Sequence, residues 1–196
     1  PQGTTVYYTL DGSNPTTESE KYVSPITVND MTSNPNVYSA RTDISASEVE
    51  APTENVDKAA IVRAIAVDSQ GRTSGIITKT YFIGTTNTSY YKDMKVISMA
   101  TDSDYLFDID DGAYMIGKGY YEWLRSPEFE QLDPSDKNNP TNYNKEGRES
   151  EFPVSIQVIE DGKAVYNADL GAKISGNWTR SAPQKSFRLV TRSEYG

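Results

Sequence analysis

The chain has 196 residues and a net charge of −9, with 19 basic and 28 acidic side chains and neither cysteine nor histidine. The two absent residue types exclude a disulfide framework, thiolate or imidazole metal ligands, and a serine–histidine triad. Fourteen Tyr among frequent Thr and Val, punctuated by 13 Gly and 10 Pro, point to a mainly β chain, and no apolar run approaches the about 18 residues that a membrane span needs.

In chain order, Val6-Tyr7-Tyr8-Thr9-Leu10 reads as a strand broken by the turn Asp11-Gly12-Ser13-Asn14-Pro15, and Ile26-Thr27-Val28 as a second, short one. Residues 29–57 are polar and unperiodic and read as a long loop inserted over a sandwich, with an extended segment near Tyr38. Ala60 to Val67 is the best core strand. Ile61, Arg63, Ile65 and Val67 share one face, which Tyr8 and Tyr81 are expected to join. The turn Asp68-Ser69-Gln70-Gly71 leads to a partner strand over residues 76–83. Gly84 to Ser89 reads as a linker, which divides the chain into residues 1–84 and residues 90–196. Beyond it, Lys95 to Met99 is a strand, Ser103 to Phe107 one helical turn, and Tyr121 to Arg125 a helix stopped before Pro127. Val154 to Ile159 alternates as a strand and turns through Asp161-Gly162 into Ala164 to Asn167. A strand, a loop opened by Gly176 and a second strand close the chain. The expected class is therefore mainly β: an immunoglobulin-like β-sandwich over residues 1–84, followed by a β-rich α+β unit. The opening Pro-Gln-Gly-Thr-Thr, only a few residues ahead of a strand, reads as a cut from a longer protein.

The closing hairpin holds the candidate chemistry. Between Leu170 and Ser193 it carries Lys173, Arg180, Lys185, Arg188 and Arg192 and no acid, a basic patch of the kind that marks an anionic ligand or a local partner. Period two places Lys185 on the face of Phe187 and Leu189, with Arg188 opposite. Lys185 then either holds a phosphate or snorkels its amine out of a half-buried position. Asn177 and Arg180 lie on the adjoining loop. Asp104, Asp108 and Asp110 are metal candidates within an acid cluster, but Ala113 and Gly119 stand where a calcium loop needs Gly and Glu, so a solvated turn is the competing reading. Trp123 and Trp178 are candidates for stacking on sugar rings, against the ordinary role of aromatics in a core.

Two resemblances add to this. The run Gly-x-x-Ile-Ser-Gly-Asn-x-x-Arg-x-x-x-Gln-Lys-Ser-Phe-Arg-Leu over residues 171–189, with Asn142-Tyr143-Asn144, Gly147-Arg148-Glu149 and Glu151-Phe152-Pro153-Val154 before it, resembles the spore-coat protein H (CotH) kinase family. That resemblance covers about residues 90–196 and implies a unit like the smaller lobe of a protein kinase. It also implies ATP with Mg2+ or Mn2+ for the whole protein, and Lys185, Arg180, Arg188 and Asn177 at the phosphates. In the family the catalytic aspartates lie beyond the last residue of this chain, so no catalytic residue is expected here and the chain by itself is expected to be inactive. Tyr7-Tyr8-Thr9-Leu10-Asp11-Gly12-Ser13-Asn14-Pro15-Thr16 with Val62 to Asp68, Gly71 and Ser74 resembles the chitobiase/β-hexosaminidase C-terminal type of β-sandwich, a module of secreted and surface proteins. Together they imply an extracellular, cell-surface or spore-coat location. The implied partners are cell-surface or spore-coat proteins and polysaccharide, with no nucleic acid and no membrane insertion. The alternative to a kinase is a non-catalytic surface-attachment or carbohydrate-associated β-module.

Overall fold

A computed structural model describes residues 3–84 and 94–196. The chain is mainly β, with two four-stranded antiparallel sheets and, among the described residues, two short helices. The first sheet contains β1 (Thr5–Thr9), β2 (Glu20–Lys21), β3 (Ala60–Val67) and β4 (Ile77–Tyr81) in the order β2-β1-β3-β4. The second contains β5 (Val96–Ala100), β6 (Phe152–Glu160), β7 (Lys163–Ser175) and β8 (Ser186–Val190) in sequential order. Helix α1 is Asp104–Phe107 and helix α2 is Lys118–Trp123. No helix among the described residues is long and apolar enough to cross a membrane.

By contacts the chain forms two compact units. The first comprises Pro1–Pro35, Asn55–Asp102 and Ser155–Ala168; the second comprises Asn36–Glu54, Ser103–Val154 and Asp169–Gly196. The expected linker at Gly84 to Ser89 falls, from Thr85 onward, outside the described residues.

In the first unit, β3 occupies the stretch that its alternation predicts. Its register pairs Tyr7 with Ile65, Thr5 with Val67, Thr78 with Arg63 and Thr80 with Ile61. Directly opposed residues of antiparallel strands share a face, so Tyr7 joins the Ile65 face. Tyr8 and Tyr81, opposed to Ala64 and Ala60, lie on the other one. The expectation for these two tyrosines was one residue out of step for β1 and on the wrong side for β4. Arg63 is buried and its Nη1 donates to the Gly12 carbonyl at 3.0 Å. Ile26 to Val28 is not a strand. The edge of β1 is taken by β2, and Tyr22 N continues the pairing by donating to Val6 O at 2.8 Å.

The outer edge of β4 would otherwise be open. Gln157 of β6 closes it: its Oε1 accepts the Thr80 backbone N–H at 2.6 Å and its Nε2 donates to Asn167 Oδ1 at 2.7 Å. Thr80 and Ser98 hydroxyls meet at 2.7 Å, and Ser155 donates to Thr78 Oγ1 at 3.1 Å. An amide side chain thus caps one main-chain donor of this edge.

In the second unit the core gathers Ile116, Tyr143 and Ile174, with Tyr114, Tyr120, Tyr121 and Phe187 packed on them. The polar segment 36–54, expected as an insertion over the sandwich, belongs here. Tyr38, in a 3-10 turn over Tyr38–Ala40 where an extended segment was expected, stacks on Phe107 with ring centroids 4.6 Å apart. Asp43 O accepts Ile116 N at 3.0 Å, and Ala46 N donates to the Tyr143 hydroxyl at 3.3 Å. Backbone groups of an irregular segment need partners when covered, and this core supplies them.

Gln157→Leu keeps the bulk near Thr80 but orphans its N–H, so it should lower stability by about 1–3 kcal/mol in urea unfolding. Unchanged stability would mean that water or another side chain caps this edge.

Candidate functional site

The closing hairpin positions the predicted residues by register. In the β7–β8 ladder Ile174 opposes Phe187 and Lys173 opposes Arg188, so Phe187 joins the core face while Arg188 faces the other side, exposed. Gly176 ends β7 with φ of +120°, and a Cβ there would come within 2.3 Å of Thr179 Oγ1. Only glycine admits this turn. Trp178–Ser181 then forms a 3-10 turn with Asn177 before it.

Lys185 lies just ahead of β8 and is 5% exposed. Its amine does not snorkel outward. Nζ donates to the carbonyls of Arg180 at 2.8 Å and Ala182 at 2.9 Å, and lies 4.1 Å from the Tyr143 ring centroid and 5.1 Å from that of Tyr114. The Tyr114 hydroxyl in turn accepts Lys185 N and donates to Pro183 O, both at 2.9 Å. Burial pushes the Lys185 ammonium down to about 7, while the carbonyls and the ring faces favour its charged form. The folded chain therefore sheds this proton more readily than the unfolded chain. Burying the charge weighs against folding below about pH 7, and that burden lifts as pH rises toward about 10.4, the ordinary lysine value.

Arg180 is also buried. Its Nε donates to Gly176 O at 2.8 Å, its Nη1 to Tyr143 O at 3.0 Å and to Lys145 O at 3.3 Å, and its Nη2 lies 3.3 Å from a Glu146 carboxylate oxygen. Glu151, with a side chain 1% exposed, takes two bonds from Arg192 at 2.8 and 3.0 Å and one from Lys173 at 3.2 Å. The paired guanidinium of Arg192, then the Lys173 ammonium, hold its carboxyl at about 2 against the opposing effect of burial. Among the described residues, four of the five cations in this segment thus have an acid or carbonyl partner, and Arg188 is the exception. Acids from residues 146–151 pair with three of these cations, Lys173, Arg180 and Arg192.

The remaining candidates lie elsewhere. Asp104, Asp108 and Asp110 are exposed. Asp108 Oδ1 accepts the N–H groups of Asp110 and Asp111 at 2.8 and 3.1 Å, and Asp110 stands 3.9 Å from Lys118 Nζ. Among the described residues no group of three acids is placed to hold a metal ion. Trp123 packs against Tyr120 and Phe129, with centroids 5.7 and 5.0 Å away. Trp178 is 72% exposed. A shallow cleft of about 330 Å3 in the first unit has Tyr8, Asp11 and Glu20 on its walls. Sequence reasoning did not identify Tyr114, Tyr143 and Glu151 as partners of the basic residues. No local spacing links them, although Tyr143 and Glu151 lie in the blocks at 142–144 and 151–154 that carry the kinase resemblance.

Residues 1–81 match the family model described as Fn3 associated, which agrees with a β-sandwich module. No curated protein and no solved structure matches the chain, and the spore-coat protein H kinase resemblance receives no support from these comparisons.

For Glu151 the sign is fixed by a lowered carboxyl value. Its contribution to stability is complete above the unfolded value of about 4.3 and is lost as pH falls through about 2. Glu151→Gln should therefore be less stable than wild type near neutral pH, with the gap closing below about pH 4 in acid-series thermal melts. A gap that stays constant to pH 2 would show that the ion pairs do not hold this carboxyl.

Proposed function

We propose that this chain is a non-catalytic β-module of a secreted or cell-surface protein, serving surface attachment or association with carbohydrate. The observation that carries the reading is the match of residues 1–81 to the Fn3-associated model, on a segment folded as a four-stranded antiparallel sheet. The resemblance of residues 1–84 to the chitobiase C-terminal type is its finer form, and polysaccharide or surface proteins outside the cell are the partners it implies.

The site chemistry supports the same choice over phosphoryl transfer. A kinase needs a lysine free to meet phosphate oxygens and aspartates that hold Mg2+. Here the Lys185 ammonium is turned onto two backbone carbonyls, and Arg180 onto three more. ATP with Mg2+ or Mn2+ therefore belongs to a reading that rests on the resemblance of residues 90–196 alone.

The chain should co-sediment with at least one of insoluble cellulose, chitin and bacterial peptidoglycan. It should transfer no label from ATP with Mg2+ or Mn2+ to a generic protein acceptor. Lys185-dependent phosphate transfer without retention on any polymer would overturn the proposal in favour of the kinase.

A further inference from the structure

The segment from Gly176 to Ala182 is bonded at almost every carbonyl. Gly176 O accepts Arg180 Nε at 2.8 Å, Asn177 O accepts Arg180 N at 3.2 Å, and Trp178 O accepts Ser181 Oγ at 2.9 Å. Thr179 O accepts Ala182 N at 3.2 Å, and Arg180 O and Ala182 O both accept Lys185 Nζ. Two buried cations therefore hold a surface turn by its main chain. Among the side chains this turn carries outward is Trp178, 72% exposed, whereas Trp123 is engaged with neighbouring rings.

An indole left in water forgoes the burial that a side chain this large normally gains. A turn fixed in one geometry has lost its flexibility before any ligand arrives, which removes part of the cost of binding. A flat aromatic face on a turn whose main chain is held suits a ligand whose own face is flat and made of C–H groups. A β-linked gluco-configured pyranose is such a ligand, because its hydroxyls are equatorial and its ring faces carry only hydrogens. We propose that Trp178 is a stacking platform for β-linked gluco-configured sugar rings, and that Lys185 and Arg180 are its positioning residues, acting through the carbonyls of residues 176, 180 and 182. This rests on the carbohydrate reading above and names the site that would carry it.

The chain has two tryptophans, so a Trp123→Phe background leaves Trp178 as the sole indole. In that background, cellohexaose or the hexamer of N-acetylglucosamine should quench and blue-shift Trp178 emission, and mannohexaose, with axial hydroxyls, should do so less. Trp178→Ala should weaken retention on the polymer bound by the wild type about tenfold or more, as truncating an aromatic anchor does, at unchanged melting temperature. Lys185→Met should raise the nanosecond mobility of Trp178 in fluorescence anisotropy and weaken the hexaose response, even where far-UV circular dichroism stays native. Because Trp178 is exposed, its alanine variant decides the binding claim whether or not the lysine variant folds. Polymer retention untouched by Trp178→Ala would overturn this proposal and leave the carbohydrate reading standing. An absence of binding to every polymer and hexaose would overturn both. Trp178 mobility unchanged in a folded Lys185→Met variant would remove the positioning role.

Discussion

The Lys185 ammonium lies between the rings of Tyr143 and Tyr114 and donates to the carbonyls of Arg180 and Ala182. Among the described residues no carboxylate is paired with it. A buried cation in that position is tolerable only while carbonyl dipoles and aromatic faces replace water, so the surrounding geometry is constrained. Tyr143 must be fully enclosed, which it is, at 0% exposure. Its hydroxyl then needs a partner and finds the N–H of Ala46, and its carbonyl finds Arg180. The 3-10 turn after Gly176, the irregular segment 36–54 and the core around Ile116 and Ile174 are all tied to this one tyrosine–lysine contact. A lysine held this way is a structural clamp on the turn.

The first unit solves a different problem by similar means. Its sheet ends at β4, and the N–H of Thr80 would project from an unpaired edge without the Gln157 amide. The hydroxyls of Thr78, Thr80, Ser98 and Ser155 make a polar seam where an apolar one would be usual. Such a seam is stabilising only when each member is satisfied. In both units, then, side-chain polar groups close main-chain valences that regular secondary structure leaves open.

These devices explain what the sequence does and does not reveal. The period-two run Ala60 to Val67 is legible because one face is buried from Arg63 through Ile65 to Val67. The closing hairpin is legible because Gly176 and the alternation through Phe187 mark it. The sequence also places Lys185 inward and Arg188 outward. It does not reveal what Lys185 touches, since its acceptors are backbone carbonyls that any residue would offer. Nor does it reveal the partners of the basic patch, because Glu146 and Glu151 lie 22 to 41 residues upstream of the cations they pair with. Tyr7 and Tyr8 are equally good strand residues, and only the register with β3 decides which one faces Ile65. The polar segment 36–54 carries no periodicity because its order comes from contacts at long separation, such as Tyr38 with Phe107.

The Lys185 ammonium is an internal clamp engaged with carbonyls and tyrosine rings. The most direct test of this is a pH titration of the Lys185 side chain by 13C-detected NMR, with and without ATP and Mg2+. A clamped amine should give a resonance that titrates near 7, apart from the other lysines, and does not move when nucleotide is added. A Lys185 signal that titrates with the rest near the ordinary value of about 10.4 and shifts on addition of ATP and Mg2+ would contradict the clamp.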